Sequence, residues 1–552
     1  MNRLPNGLLQ SLIAGLCGLM LLCAAPWLHA QAAPVRYAAI AFHDVVDRAE
    51  DLDADAITSD RLVAFLDWLQ GNGWHPISLD DIAKAQAGDK PLPAKPILLT
   101  FDDGYASLYS RVYPLALAYR FPIVAALTGA WMEGPPDALV HYGDETVPRS
   151  HFITWDQARA MQASGLVEFA SHSYNLHTSL PANPQGNPLP AASTLVMASD
   201  GSIETSEQQY ARVFADLQRS RASMQKELGR VPRALVWPFG RYNANGDQAA
   251  RAAGFRFALT LQPTLAALDN PLHIARFWPS HNPTLADLVA TISAPPRPSP
   301  ARRLVCVNPA QLWDPDPAVF DVQLGHAIER IRVLGATTAV VQTLDADRDA
   351  AKPAAAWFPA PGLPMRANAL TRIAWQLRTR AGVQVVARMP YDALASAGLN
   401  PAQIEAVFAS AGAQLPWDGL LLEGGDSVAS QRAFMAAQAS SPELQRIWLA
   451  AANADVGQPT DNPELVLYSP TQMGALLARQ GALSSAQAAR IGLWLEGGGQ
   501  APSAQALGAA TREFQRRGGT AIGWCPDEAL LDQPNAAQAA PAISAATFPV
   551  RF

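Results

Sequence analysis

Short apolar runs typical of buried strands recur along this chain, and helix-like segments separate them. In the first half the runs are YAAIAFHD, PILLTFDD, PIVAALTG, LVEFASHS, RALVWPFG, FRFALTL and HIARFWPS. Residues 59–73, between the first two runs, show helical spacing of apolar residues, with a serine to cap the helix and a glycine to end it. Strands that alternate with helices form parallel sheets. Seven such units predict a distorted (β/α)7 barrel over residues 33–294, one unit short of the eight-stranded fold.

The same pattern restarts after a proline-rich stretch, which we interpret as a linker at residues 295–303. The later runs are RLVCVNP, TTAVVQTL, VQVVARMP, GLLLEGG, RIWLAAA, ELVLYSP, RIGLWLEG and TAIGWCP. Eight strand-like runs in about 250 residues are the usual content of a (β/α)8 barrel. The sequence therefore predicts an α/β protein made of two barrels, the second at residues 304–552.

Polar residues follow the strand-like runs of the first half at their C-terminal ends. They are His43, Asp44, Asp102, Asp103, His172, the segment 238–240 and His281. Barrels of this kind build their active sites at that rim, although each residue taken singly is also typical of a strand-end loop. Their coincidence predicts a functional site at this end of the first barrel.

Asp102 and Asp103 stand side by side after the second run. Carboxylates this close raise each other's pKa unless positive charge lies near them; a solvated turn is the alternative, since Asp and Gly are common in turns. His172 and His177 follow the fourth run, and imidazole with carboxylate suits zinc, iron, cobalt or nickel. We expect Asp103, His172 and His177 to bind one such divalent ion and to leave positions open for water and substrate.

Asp102 then has a separate role. A bound divalent ion lowers the pKa of its water towards about 7. A neighbouring carboxylate accepts the proton as that water attacks. The pair is therefore predicted to divide the work, with one carboxylate on the metal and the other acting as the base.

Several motifs resemble the NodB-like polysaccharide deacetylase family. The motif TFDDGY and the downstream histidine pair carry this resemblance. Further motifs resemble the periplasmic branch of the family: FHD, ASHSYNLH, VWPFG and, in the second half, WFPAPGLPMRANALTRIAWQLRTRAGV. That branch comprises the poly-β-1,6-N-acetylglucosamine N-deacetylases with a C-terminal glycoside-hydrolase-like domain. The resemblance covers nearly the whole mature chain and implies a metal-dependent hydrolase that deacetylates this exopolysaccharide during biofilm export.

The resemblance also implies a role for each matching residue. Asp102 matches the general base, and Asp103, His172 and His177 match the metal ligands. His43 matches the general acid, which would protonate the leaving amine.

Further matches concern the substrate. The predicted substrate-binding residues are Tyr105, through the backbone N–H near it, Trp237, Pro238, Phe239 and Arg276. Trp237 stands where many relatives have an arginine, and Arg276 is expected to orient Asp102. The polar segment 178–209 is expected to cap the cleft, because loops this long in a compact domain are usually functional or disordered.

The second barrel departs from the pattern of its relatives. Where their fourth strand ends in a His-Asp-Asp cluster, Glu423 and two glycines stand here, with Asp426 following, and Asn308 replaces the usual acid of the first strand. Glu423 and Glu496 both end strands and could form the acid pair that glycosidases need. We predict instead a carbohydrate-binding or scaffold barrel that does not hydrolyse the polymer. The candidate sugar-stacking residues are Trp313, Trp357, Trp417 and Trp494.

Residues 1–32 are predicted to be a Sec-type signal peptide. Arg3 precedes an apolar stretch from Leu8 to Leu28, and residues 30–32 fit a small-x-small cleavage site; an uncleaved membrane anchor is the alternative. Leucines precede Cys17 and Cys23, so lipidation is not expected. The resemblance implies a periplasmic protein with an outer-membrane export porin as candidate partner, and with membrane contact only through the export machinery.

Charge and cysteine content narrow the remaining choices. The formal net charge is −7 and no basic block is visible, which argues against a nucleic-acid partner.

After signal cleavage the cysteines are Cys306 and Cys525, on the first and eighth predicted strands of the second barrel. Those strands are neighbours in a closed barrel, about 5 Å apart. We predict that the two cysteines are close; a disulfide and two buried thiols both stay open.

Three functions are compatible with these features. The main hypothesis is an N-deacetylase of poly-β-1,6-N-acetylglucosamine. The alternatives are a deacetylase of another N-acetylated polymer, such as peptidoglycan or chitin oligomers, and a non-catalytic polysaccharide-binding protein. The complete set of Asp102, Asp103, His172 and His177 disfavours the last.

Overall fold

The computed structural model describes residues 35–48, 55–142, 145–293, 301–346, 353–414, 417–425, 427–441, 444, 447–450, 464–497 and 500–544. The predicted signal peptide, most of the predicted linker and Asp426 lie outside these ranges. Among the described helices, none is both long and apolar enough to cross a lipid bilayer.

The first half of the chain forms short strands and the helices between them. The strands are β1 (Arg36–Phe42), β2 (Val45–Val46), β3 (Ile57–Thr58), β4 (His75–Pro76), β5 (Pro96–Phe101), β6 (Ile123–Leu127), β7 (Leu139–Tyr142), β8 (Glu145–Pro148), β9 (Val167–Ser171), β10 (Ser179–Pro181), β11 (Pro188–Pro190), β12 (Ala234–Val236), β13 (Phe257–Leu259) and β14 (Ala266–Ala267). The helices are α1 (Ser59–Gly71), α2 (Leu79–Ala87), α3 (Tyr113–Tyr119), α4 (Trp155–Ala163), α5 (Ser206–Leu228), α6 (Ala244–Ala253) and α7 (Leu285–Ser293).

A parallel sheet organises this half, in the order β13-β12-β9-β6-β5-β1. The seventh predicted strand is reduced to two parallel bridges, Leu259 with Ile274 and Ile40 with Phe277. The Thr260 N–H donates to the Ile274 carbonyl at 2.9 Å, and the Ala41 N–H donates to the Phe277 carbonyl at 2.8 Å. The segment 274–277 thus joins β13 to β1, so the predicted distorted seven-unit barrel is confirmed.

Alternation along the strands decides which side chains face the barrel interior. Leu98 belongs to an apolar cluster made mostly of residues from the central strands, whereas Leu99 and Phe101 pack with Phe65 and Leu66 of helix α1. Side chains on a strand alternate between its two faces. Thr100 and Asp102, two and four residues after Leu98, therefore point inward with it.

Helix α1 begins one residue away from the predicted cap. Thr58, not Ser59, occupies the N-cap position, and no side chain caps this helix end. The Ser59 hydroxyl instead donates to Asp47 Oδ1 at 2.7 Å. The predicted serine cap was therefore wrong, because the hydroxyl is engaged by an aspartate of the preceding segment.

The second half forms a further set of strands and helices. The strands are β15 (Arg302–Val307), β16 (Thr338–Gln342), β17 (Leu344–Ala346), β18 (Pro353–Ala356), β19 (Gln384–Pro390), β20 (Gly419–Glu423), β21 (Ile447–Ala450), β22 (Leu465–Tyr468), β23 (Ile491–Glu496) and β24 (Ala521–Cys525). The helices are α8 (Pro309–Leu312), α9 (Pro317–Leu334), α10 (Leu370–Gln376), α11 (Tyr391–Ser396), α12 (Pro401–Gln414), α13 (Ser427–Ser440), α14 (Pro470–Gln480), α15 (Ser485–Ala488), α16 (Ala504–Arg516) and α17 (Ala536–Ile543).

Eight parallel strands close this half into a barrel, in the order β15-β16-β19-β20-β21-β22-β23-β24. Strand β24 pairs back onto β15, with Ile522 beside Arg303 and Trp524 beside Val305. All eight strands coincide with the predicted runs, so the second barrel is confirmed. Cys306 and Cys525 form a disulfide with their Cα atoms 5.0 Å apart, which confirms the predicted proximity.

The segment 178–209 is structured and contacts the second barrel. It contains the β10–β11 hairpin, and just before β11 the Arg372 guanidinium donates to Asn187 Oδ1 at 2.7 Å. A cavity of about 220 Å³ lies at this joint, lined from both halves, with Tyr242, Trp375 and Trp417 among its residues. In this structure the hairpin that reaches the candidate metal ligands is β7–β8, and the predicted capping role of segment 178–209 stays a prediction.

Candidate metal centre and active site

The turn after β5 sends two adjacent carboxylates to different partners. Asp103 and Gly104 follow one another with φ of 70° and 72°. Gly104 is required here, since a Cβ atom would lie 2.6 Å from Leu127 Cδ2. Asp103 has no such freedom, and a non-glycine residue in this region typically costs about 1 kcal/mol or more. Such strain is characteristic of functional sites.

Asp102 lies inside the barrel and is held by Arg276. The guanidinium donates to both carboxylate oxygens, at 2.8 and 2.9 Å, and it also donates to the Thr100 hydroxyl at 2.7 Å and the Thr260 carbonyl at 3.1 Å. Asp102 is 3% exposed and Arg276 is fully buried. A buried bidentate pair of this kind fixes the carboxylate in one orientation. Because Arg276 is fully buried against Asp102, its predicted contact with the substrate is not open to it in this structure.

Asp103 faces the two histidines instead. The Nε2 atoms of His172 and His177 each lie 3.3 Å from Asp103 Oδ1. One ligand atom from each of the three residues falls within 4.8 Å of the others, and all three residues are buried. The Val236 carbonyl accepts a hydrogen bond from His172 Nδ1 at 2.7 Å, so Nε2 is the nitrogen that faces Asp103.

These residues fit a divalent ion. Asp103 Oδ1 is buried and no group of the described residues donates a hydrogen bond to it. A buried carboxylate oxygen without a donor is costly unless a cation faces it. Two imidazole nitrogens and one carboxylate are a donor set for zinc, iron, cobalt or nickel, with further coordination positions left open.

Burial and charge set the protonation of the cluster. Burial lowers the pKa of His177 to about 4, although Asp103 acts in the opposite direction. Burial also acts to lower the pKa of His172, but the closeness of Asp103 and Asp102 outweighs it and raises that pKa. For Asp102 burial acts to raise the pKa, and Arg276 outweighs it and holds the pKa below the usual range. For Asp103 burial also acts to raise the pKa, and His177 and His172 outweigh it and hold the pKa below the usual range.

Two exposed aromatic rings lie beside histidines of the candidate site. The Phe239 ring lies 4.4 Å from the His177 ring and is 37% exposed. Trp278 is 44% exposed and its ring lies 6.0 Å from that of His43, which follows β1. Trp278 was missed in the sequence, although it stands within the run HIARFWPS.

Other predicted substrate-binding residues are less accessible. Pro238 is buried, and Tyr105 is 7% exposed with its ring 5.8 Å from that of Phe152. Trp237 is 1% exposed and stacks on Tyr242 at 5.7 Å, so its side chain does not line the cleft in this structure.

Tyr142 reaches the cluster from the β7–β8 hairpin. Its hydroxyl donates to Asp103 Oδ2 at 3.0 Å. Burial, together with the neighbouring Asp103, raises the pKa of this hydroxyl, so it remains a donor. Tyr142 stands 39 residues after Asp103, in a segment without any recognisable motif, so it was not predicted as a site residue.

The candidate residues of the second barrel are only partly brought together. Arg388 donates to Glu423 at 2.8 Å and to Glu496 at 2.7 Å, so one cation links both predicted acids. Burial raises the pKa of Glu423, although Arg388 acts in the opposite direction. Asn308 accepts a hydrogen bond from the Ala310 N–H at 3.0 Å and caps helix α8.

The tryptophans of this barrel are largely internal. Trp357, Trp417 and Trp494 are 1%, 6% and 5% exposed. The Trp313 ring lies 5.9 Å from that of Trp357, and the Arg366 guanidinium lies 5.7 Å from its centroid. Of these four tryptophans, Trp313 alone is only partly buried.

Comparison with known proteins agrees with this geometry. Residues 89–258 match the polysaccharide deacetylase family model, and residues 307–414 match a model described as hypothetical glycosyl hydrolase family 13. The poly-beta-1,6-N-acetyl-D-glucosamine N-deacetylase of Escherichia coli (strain K12) is 34% identical over 372 residues, which are 67% of this chain and 54% of that protein. The chain thus spans about half the length of these curated relatives.

Solved structures give a similar result at the sequence level. A de-N-acetylase from Aggregatibacter actinomycetemcomitans is 33% identical over 47% of this chain and 100% of its own, with a TM-score of 0.45. The deacetylase domain of BpsB from Bordetella bronchiseptica is 39% identical over 44% of this chain and 95% of its own, with a TM-score of 0.40. Both the model matched by residues 89–258 and the E. coli relative lead to one conclusion, that the chain belongs to the polysaccharide deacetylase family.

Proposed function

We propose that the protein removes N-acetyl groups from poly-β-1,6-N-acetyl-D-glucosamine by metal-dependent hydrolysis. The observation that carries this proposal is the buried cluster of Asp103, His172 and His177 beside the Asp102–Arg276 pair. The name of the E. coli relative supports the choice of polymer.

The proposed chemistry divides between the two aspartates. A divalent ion held by Asp103, His172 and His177 would polarise the acetyl carbonyl and acidify a water molecule. Asp102 accepts the proton that the attacking water loses, and Arg276 keeps its carboxylate ionised and oriented for this step.

His43 completes the proposed reaction. As the water oxygen bonds to the acetyl carbon, the carbon–nitrogen bond of the amide breaks, and His43 gives a proton to the leaving nitrogen. The products are acetate and a free amine on the sugar. His43 is suited to this role because it follows β1 near both aspartates, and its charge contributes to lowering the pKa of each.

The test is acetate release by metal-reconstituted protein from three polymers: poly-β-1,6-N-acetylglucosamine, chitin oligomers and peptidoglycan. We expect release from the first. Release only from one of the others would mean that the proposed substrate is wrong. Binding of polymer without acetate release from any of them would identify a non-catalytic binding protein.

We further propose that the second barrel binds the partly deacetylated polymer without cleaving it. The ion pairs of Arg388 with Glu423 and Glu496 support this, because a hydrolytic pair must present a proton donor and a free carboxylate to the sugar. Chain length of the polymer before and after incubation tests it, and shortening would contradict the proposal.

The proposed function also includes a location and a partner. The protein is exported to the periplasm, where it acts together with an outer-membrane export porin. The signal-like residues 1–32 and the family resemblance support this location. Cell fractionation with determination of the mature N-terminus tests the location, and crosslinking in cells tests the porin contact. Retention of the full-length chain in the cytoplasm would contradict both.

A further inference from the structure

We propose that Tyr142 is a positioning residue for the metal, which keeps Asp103 bound to the ion through one oxygen only. The inference rests on the proposed metal site. It concerns a residue outside the ligand set and outside the general acid and base.

The two oxygens of Asp103 have different partners. Oδ1 lies 3.3 Å from the Nε2 atoms of both His172 and His177. Oδ2 accepts a hydrogen bond from the Tyr142 hydroxyl at 3.0 Å. A carboxylate can bind a metal through one oxygen or both. The hydrogen bond to Oδ2 fixes the rotation of the carboxylate and leaves Oδ1 as the ligand. A second Asp103 oxygen on the ion would take a position that water and the acetyl group need.

Packing and hydrogen bonds anchor the described part of the hairpin that carries Tyr142. Val140 packs with Trp131 and Phe152 in a small buried cluster beneath it. Just after the hairpin, the buried Arg149 side chain donates to the carbonyls of Met132 and Phe152, both at 3.1 Å, and to that of Ile153 at 2.8 Å. A cation with three carbonyl acceptors anchors this end of the hairpin.

Tyr142 also contacts a second metal ligand. Its ring lies 6.0 Å from the His177 ring at an angle of 17°, and 5.3 Å from Trp131. The ring therefore contributes to packing, and the hydroxyl contributes the hydrogen bond. The two contributions are separable, because phenylalanine retains the first and lacks the second.

The experiment compares Tyr142→Phe, Tyr142→Ala and the wild type. The matched control is Tyr119→Phe, which removes another tyrosine hydroxyl bonded to a carboxylate, the 2.5 Å bond to the exposed Asp67. Zinc affinity is measured by competition with a chromophoric chelator, and coordination by the visible absorption spectrum of the cobalt-substituted protein. Loss of a partner to a metal ligand typically weakens metal binding by about 10–100-fold. We expect Tyr142→Phe to fall in that range with an altered cobalt spectrum, and Tyr119→Phe to match the wild type.

Two outcomes of the zinc and cobalt measurements would overturn the inference. Wild-type affinity and an unchanged cobalt spectrum in Tyr142→Phe, with a loss only in Tyr142→Ala, would assign Tyr142 to packing alone. Wild-type protein that binds no zinc would remove the inference together with the metal site. A wild type that binds zinc but releases no acetate from any polymer would contradict the proposed function and leave the test of Tyr142 intact.

A second measurement uses only the wild-type protein, so it does not depend on whether a variant folds. The infrared difference spectrum between zinc-loaded and zinc-free wild type, with ¹³C-labelled aspartate, reports whether a carboxylate binds through one oxygen or two. We expect the one-oxygen pattern. A two-oxygen pattern would overturn the inference regardless of how the variants behave.

Discussion

Two neighbouring aspartates with different partners should respond differently to substitution. Asp103→Ala, His172→Ala and His177→Ala each remove a ligand of the buried cluster, so we expect loss of both metal binding and acetate release. Asp102→Asn should retain the metal and lose the rate, because Asp102 contacts Arg276 rather than the histidines. Metal content and acetate release measured on the same samples test this. Loss of metal in Asp102→Asn with retention in Asp103→Asn would reverse the assignment.

His43→Ala should lower turnover without loss of metal, because His43 is proposed to protonate the leaving nitrogen and is not part of the ligand cluster. An activated ester needs no such protonation, so its hydrolysis should be affected less than that of the amide. Turnover of both substrates by the variant and the wild type gives the comparison. Equal losses on the two substrates would count against the acid role.

Metal affinity should rise with pH because of His172. Burial lowers the pKa of His177 to about 4, so this imidazole is already neutral near pH 7. His172 has a raised pKa and keeps its proton to higher pH, since Asp103 and Asp102 outweigh the effect of its burial. A metal ion must displace that proton. We therefore expect binding to release one proton more per ion below the pKa of His172 than above it. Calorimetry in buffers of different ionisation enthalpy measures this, and a pH-independent release would contradict it.

Site residues that stand within motifs could be predicted from the sequence, and those outside motifs could not. Asp103 is adjacent to Asp102, and His172 follows a strand-like run, so their types and positions were informative. Tyr142 reaches Asp103 only because a hairpin folds back over the barrel end. Nothing local in the chain reports a contact of that kind.

Among the elements, the ends of β19, β20 and β23 meet at Arg388. We expect Arg388→Met to destabilise the second barrel by about 3 kcal/mol, because Glu423 would be left in a largely buried place without a cation. Arg432→Met is the matched control, since Arg432 is 65% exposed and 4.0 Å from Glu405, and exposed pairs contribute about 1 kcal/mol or less. Calorimetric unfolding of the whole chain compares them. Equal effects would show that the Arg388 pairs are no stronger than surface pairs.

Strand prediction succeeded where strands are buried on both faces. Strands β5 and β6 are almost entirely buried, and such strands give continuous apolar runs that are visible in a sequence. The run HIARFWPS was recognised too, but it contains Arg276, whose guanidinium turns inward to Asp102. Its pairing is limited to single bridges at Ile274 and Phe277, and such shortening depends on contacts that the sequence does not show.

For the whole molecule, the disulfide should matter more to stability than to catalysis. Cys306 and Cys525 are 219 residues apart, and in the chain-entropy account a link across that distance contributes roughly 5 kcal/mol. We expect Cys306→Ala with Cys525→Ala to lower the unfolding temperature of the second barrel and to leave zinc binding by the first unchanged. Calorimetry and zinc titration measure the two effects, and weaker zinc binding would reveal coupling between the barrels.

The same bond gives the polypeptide a covalent topology that its linear sequence lacks. Residues 306 to 525 become a closed ring, from which the first barrel and the last residues extend as two tails. One proteolytic cut anywhere inside the ring leaves a single molecule of nearly unchanged mass, and only a reductant separates the pieces. A cut in the stretch between the barrels breaks the covalent link to the first barrel without any reductant. Mass spectrometry of digests with and without reductant would therefore locate each cut relative to the ring.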